Sequence, residues 1–265
     1  MDIEQEILRI ATTLTPTVFL NSKIAWHEYV RTVKDAAKEI PRNANVLDIG
    51  CGCGYSTAYL CALRKDITII GADPWPHFKA WNALTKLVNK NSFFLSGKSH
   101  DTNNSFLSEK SCDRCRFVKA SGLKLPFKSG EFDAVVSFGV IEHTADDNVF
   151  LGELNRVLKK GGKNIIFHLP NKFSFNEALA KAVGKDAHVV KYSIDDVRAI
   201  MKTQGFRVLK IEREYFLPLQ IYKVSNRIGG FFDSHYKGFH TLDKFLMNMP
   251  FKYLCQSFKV VSVKA

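Results

Sequence analysis

Three glycines at alternate positions, Gly50, Gly52 and Gly54, close the short apolar run Val46-Leu47-Asp48-Ile49. Lacking a Cβ, glycine lets the chain turn sharply and lets a ligand come against the backbone. An acid, Asp73, ends the next apolar run, 25 residues after Asp48. In a doubly wound sheet, ligands sit outside the carboxyl ends of the strands, at the switch point. A carboxylate at that place can accept both hydroxyls of a ribose, so the spacing predicts a nucleoside pocket. A dinucleotide site wants G-x-G-x-x-G with pyrophosphate on a helix N-terminus. Here the third glycine comes one residue early, and Tyr55 stands where that pattern wants glycine, where it would crowd the helix against the strand. Asp48, inside the strand, suits a cationic ligand: it can help place an ammonium group, directly or through water.

Other residues offer proton or metal chemistry. Glu142-His143 follows the apolar run Ala134 to Phe138. His143 is a candidate base for a hydroxyl acceptor; the competing and favoured reading is that the pair caps the next helix and shapes a pocket wall. Cys112-Asp113-Arg114-Cys115 has C-x-x-C spacing, but no second pair follows to complete a zinc site, so a surface loop with two thiols is expected. Cys51 and Cys53 read as small residues tolerated in the glycine loop. His168 reads as a packed core histidine, with Asn171 toward an acceptor.

The elements that must position these residues alternate. Residues 2 to 13 and 23 to 39 have apolar residues at helical spacing. Buried strands are expected at 45–49, 67–72, 117–118, 134–138 and 164–168. Helices are expected at 55–65, 77–90 and 147–159, the last ending at Gly161-Gly162. Alternation of this kind means a parallel sheet with right-handed crossovers. Ser193 and Asp196 fit a capping box for a helix that Gly205 stops. Strands at 206–213 and 257–264 follow, separated by residues 215 to 256, a stretch dense in aromatics and too long for a hairpin turn. It is expected to be an inserted lid. The polar stretch from about Ser96 to Arg114 is expected to be a surface insertion.

The chain has 265 residues with 38 Lys and Arg against 26 Asp and Glu. Residues 171 to 265 hold 16 of those bases and 8 of the acids. That basic third leaves room for contact with nucleic acid, an acidic substrate or the surface of an anionic membrane. The apolar content excludes disorder over most of the chain, and no apolar run approaches the length of a membrane span. The N-terminus lacks the bases of an export signal. Six cysteines in a chain of this length make no disulfide scaffold, so a cytoplasmic protein is expected.

The ordered set VLDIGCGCG, GADP, LPF…EFDAVVSFGVIEH and LNRVLKKGGKNII resembles class I S-adenosylmethionine-dependent methyltransferases. Within them it is similar to the small-molecule branch typified by ubiquinone and menaquinone biosynthesis enzymes, most closely over residues 44 to 170. The resemblance implies a doubly wound, seven-stranded, mostly parallel sheet with an antiparallel last strand and a helical lid. It divides the chain into N-terminal helices over the cofactor site (1–43), core (44–214), lid (215–256) and last strand (257–265). It implies S-adenosylmethionine as methyl donor, S-adenosylhomocysteine as product and a small, lipophilic acceptor methylated on O, N or C. By position, Asp48, Gly50, Cys51 and Gly52 line the methionine half, and Asp73 binds the ribose, with Pro74 and Trp75 against adenine. Ser121 stands where family members carry an acid for the adenine amino group; its hydroxyl, or the backbone of Gly122 and Leu123, takes that contact instead. Phe138 and Gly139 lie near the sulfonium. Some quinone-type relatives bind a metal with an acid three residues before the Glu-His pair; that place is Gly139 here, so no metal is expected. The N/D-P-P-aromatic motif of nucleic-acid aminomethylases is absent after the fourth strand, which disfavours RNA or DNA as acceptor.

Overall fold

The computed structural model describes residues 3–14, 23–93, 114–182, 188, 190–217, 230–231 and 234–265. Strands β1 (Asn45–Ile49), β2 (Thr68–Asp73), β3 (Cys115–Lys119), β4 (Phe132–Phe138), β5 (Leu158–Pro170), β6 (Phe206–Glu214) and β7 (Ser257–Lys264) form one sheet. Its order is β3-β2-β1-β4-β5-β7-β6, and only β7 runs antiparallel to its neighbours. The order reverses beside β1, so the carboxyl ends of β1 and β4 frame the switch point. This is the expected doubly wound sheet with an antiparallel last strand.

The central strands are buried on both faces, which is why they read as near-continuous apolar runs. Helices α1 (Ile3–Leu14), α2 (Lys23–Glu39), α3 (Tyr55–Leu63) and α4 (Phe78–Phe93) cover one face, sharing a core with Val46, Ile69, Val136 and Phe167. The helices α5 (Asp147–Val157) and α7 (Ile194–Thr203) cover the other, around Leu47, Phe132, Phe150 and Val260. Two further helices are α6 (Phe175–Ala182) and α8 (Tyr236–Leu246), the latter within the segment between β6 and β7.

Three expectations need revision. The helix before β5 stops at Val157 rather than 159, and Gly161-Gly162 lie inside the long β5, because Leu158 already pairs with Phe132 of β4. Tyr55 does not crowd helix against strand: its buried ring packs on Trp26 and Tyr29 of α2. The close approach occurs at Gly54 instead, where a Cβ would stand 2.6 Å from the Phe117 ring. Residues 96–113, Cys112 among them, lie outside the described residues; Cys115 is not on a surface loop but buried on β3.

Candidate functional site

The glycine loop forms because β1 must turn into α3 within five residues. Gly50, Gly52 and Gly54 all take positive φ (73°, 50° and 89°), a region costly for other residues. The loop is fastened from β2: the backbone N–H of Gly50 donates to Ala72, and that of Gly52 donates to Asp73 Oδ2 at 2.9 Å. Asp73 Oδ1 accepts from the N–H of Trp75, also at 2.9 Å. Each Asp73 oxygen keeps a further lone pair. Trp81 Nε1 donates to the Gly52 carbonyl. A Cβ placed on Gly52 would meet nothing within 4 Å, so the loop opens there onto free space.

Asp48 is fully buried beneath this loop. Its Oδ2 accepts from the Ser56 and Thr57 hydroxyls at 2.6 and 2.7 Å, while Oδ1 accepts no hydrogen bond. Burial outweighs the two hydroxyls and pushes its pKa up to about 6. The Ala120 N–H donates to the Asp73 carbonyl, so the turn Ser121-Gly122-Leu123 sits beside the end of β2. Gly122 lies against the Phe150 ring, and Ser121 Oγ accepts from the Leu123 N–H. Pro74 follows Asp73, and Trp75 is largely exposed.

A cavity of about 380 Å³ opens from the glycine loop across the ends of β4 and β5. Gly50, Cys51, Gly52, Phe138, Gly139, Glu142 and His143 all line it; Asp48, Asp73, Pro74, Trp75 and Ser121 to Leu123 do not. Tyr29, Tyr55, Phe138 and Pro170 give it apolar walls, and Phe138 stacks on Phe167. The far end is polar, with His168, His188 and Tyr215 joining the Glu142-His143 pair. Glu142 is buried, and burial raises its pKa despite the neighbouring histidines.

The place of His168 on the cavity wall, beside Tyr215, is what sequence reasoning missed. Both take left-handed backbone conformations, φ 61° and 49°, which cost a non-glycine residue about 1–3 kcal/mol and recur at functional sites. Their rings stack at 5.7 Å. Glu214 explains the arrangement. Its Oε2 accepts the His168 N–H at 2.8 Å and lies 3.5 Å from His168 Nδ1. Burial would lower the His168 pKa, but the charge and hydrogen bond of Glu214 reverse this and leave it raised. Asn171 is held away from the cavity: its side-chain amide donates to the Tyr253 and Cys255 carbonyls.

The segment between β6 and β7 docks beside this end. Asp243 on α8 accepts the N–H groups of Phe216 and Leu217 at 2.8 Å. Tyr236 stacks on His27 at 4.1 Å, and His240 Nδ1 lies 2.8 Å from Glu28, both partners being on α2. Tyr215 Oη and Thr32 Oγ1 share a hydrogen bond of 2.9 Å.

Comparison with known proteins identifies a methyltransferase domain at residues 47–166. Among curated proteins, the chain is 28% identical to sterol 4-C-methyltransferase strm-1 of Caenorhabditis elegans, covering 49% of this chain and 33% of that protein. It is 26% identical to the ubiquinone/menaquinone biosynthesis C-methyltransferase UbiE of Rhizobium rhizogenes, covering 62% and 72%. Against several curated relatives the match spans only 17 to 40% of their length. Among solved structures, the Haemonchus contortus phosphoethanolamine N-methyltransferase 2, in complex with phosphomonomethylethanolamine and S-adenosylhomocysteine, superposes with a TM-score of 0.54 at 15% identity, covering 97% of this chain and 57% of that one. At that identity the likeness concerns the fold. Among the described residues no helix is long and apolar enough to cross a membrane.

Proposed function

Starting from residues 47–166 as a class I S-adenosylmethionine-dependent methyltransferase domain, we propose that this chain transfers a methyl group from S-adenosylmethionine to a hydroxyl of a small acceptor with an apolar body. The observation that carries this is the single cavity joining the glycine loop to a cluster of proton-handling side chains. Its volume suits one small acceptor beside the donor's methionine end.

The residues present fit the donor. Asp48 Oδ1 is a buried acceptor without a partner, the counterpart a cationic ligand requires, and Gly52 leaves space where any side chain would intrude. Gly50, Cys51 and Gly52 would hold the methionine half, with Asp48 behind them. The free lone pairs of Asp73 would take the ribose hydroxyls, with Pro74, Trp75 and the Ser121-Gly122-Leu123 turn around the adenine. The donor supplies an electrophilic methyl on a sulfonium that leaves readily. The chain's task is then to orient the acceptor, exclude water and manage one proton.

We assign that proton to His168. Glu214 beside Nδ1 favours the tautomer with Nδ1 protonated, which leaves Nε2 to accept. The strained backbone at His168 and Tyr215 is consistent with side chains held for a purpose rather than for packing. Phe138 and Gly139 border the same space at the end of β4. The segment 215–256 acts as the lid, since Tyr215, Gln256 and Ser257 at its two roots line the cavity. Small phenols, hydroxyquinones and hydroxy-lipids, each with labelled methyl donor, form the screening set. Transfer to oxygen in one of these classes is the expected result. Donor binding with label appearing only on nitrogen or carbon would reject the hydroxyl assignment.

A further inference from the structure

Beside the assigned base lies a second constellation that methyl transfer alone does not require. One nitrogen each from His143 and His188 and one carboxylate oxygen of Glu142 lie within 4.8 Å of one another, on the wall of the cavity. Glu142 and His143 come from the 3-10 turn after β4, and His188 from beyond α6, 45 residues further along the chain than His143. The sequence offers no third ligand near the pair, because Gly139 stands where an acid would be needed; only the fold brings His188 in.

Two further observations separate this cluster from an ordinary polar wall. Glu142 has a side chain only 3% exposed, and its Oε2 accepts no hydrogen bond. A buried carboxylate oxygen without a donor is costly unless a cation meets it. His188, in turn, is already oriented. Its Nδ1 lies 2.7 Å from Oε1 of Glu177, a buried α6 residue whose Oε2 is 2.9 Å from Lys191 Nζ. A carboxylate on one imidazole nitrogen is the usual support for a histidine that binds a metal through the other, because it fixes the tautomer and the ring plane.

We propose that Glu142, His143 and His188 form a binding site for a divalent transition-metal ion, with zinc the best match to two imidazoles and a carboxylate. Three protein ligands leave a coordination position facing the cavity, the arrangement of a catalytic rather than a structural site. Ligand atoms around a tetrahedral ion at about 2.1 Å lie about 3.4 Å apart, so the cluster must contract somewhat. The His143 side chain, 65% exposed, has room to supply that movement. The inference deepens the proposed function, since an ion there would bind the acceptor's oxygen and ease loss of its proton. It rests on that reading for its role, though not for its existence.

The test uses the full chain freed of metal with a chelator, without methyl donor. Calorimetry with zinc is expected to show one ion per chain with a Kd below about 1 µM. His188→Ala and Glu142→Gln should each weaken binding at least 100-fold, and Glu177→Gln by about 10- to 100-fold. Cobalt added to the unmodified chain should give visible bands of low-coordinate nitrogen and oxygen ligation, a reading independent of how the variants fold. Absence of saturable zinc binding, unchanged affinity in His188→Ala, or an intense near-ultraviolet thiolate band placing the ion on a cysteine would each overturn the site. S-adenosylhomocysteine binding is measured on the same samples. Its loss with zinc binding intact would sink the methyl-transfer reading and leave the ion site standing.

Discussion

Asp48 is the residue whose chemistry is most exposed to test. Its carboxyl is buried with one oxygen unpartnered, and its pKa of about 6 lies above the ordinary 3.8. A raised carboxyl favours the protonated folded state. The protein without donor should therefore lose stability as pH rises from about 4 to about 6, by about 3 kcal/mol at most. A cationic donor needs the charged form, so its affinity should run the other way. It should rise up to tenfold per pH unit below 6 and level off above, and Asp48→Asn should flatten that dependence. Calorimetry at pH 5, 6 and 7.5 reads it directly. His168 has a raised pKa and must be neutral to accept a proton. Turnover should thus climb with pH along a limb centred above 6.5. Replacing His168 by glutamine should lower kcat by about 100-fold while donor affinity holds. Equal turnover in that variant would return the residue to a packing role. The glycine loop and Asp73 could be read from the sequence because their roles are set within a few residues of chain. His168 could not, since its meaning depends on Glu214, 46 residues away, and on a positive φ that no local pattern signals.

At the scale of elements, most strands and helices were legible because both faces of the sheet are covered, so apolar runs and helical spacings alternate cleanly. The capping box at Ser193 and Asp196 forms as the spacing implies, each side chain accepting the other's backbone N–H. Ser193→Ala should cost about 1 kcal/mol, visible as a lowered Tm with unchanged donor affinity. Helix α6 escaped notice although Ser174-x-x-Glu177 carries a cap signal, and Ser174 Oγ does accept the Glu177 N–H. Its exposed Phe175 and Leu179 blur the apolar stripe by which a short helix is recognised. The segment between β6 and β7 was legible only as an insertion; that α8 leans on α2 through Tyr236 and His240, and holds Phe216 and Leu217 through Asp243, is a tertiary fact. If it is the lid, amide exchange in α8 should be faster than in β1 and β4, and should slow when donor product and acceptor are both bound. Exchange unaffected by ligands would make it a fixed buttress.

For the whole molecule, the account turns on one end of one sheet. The carboxyl ends of β1, β2 and β4 present the glycine loop, Asp73 and the Phe138-Gly139 pair together, and β5 and the edge strand β6 contribute His168 and Glu214. Every assigned role presupposes that S-adenosylmethionine binds there. The most direct test is calorimetric titration with S-adenosylhomocysteine, first on the unmodified chain and then on Asp73→Ala. The account predicts a single site of micromolar affinity, about −8 kcal/mol. In Asp73→Ala it should weaken by about 1.5–3 kcal/mol through loss of charge-assisted contacts to the ribose. No saturable binding in the unmodified chain, or an affinity that Asp73→Ala leaves unchanged, would contradict it.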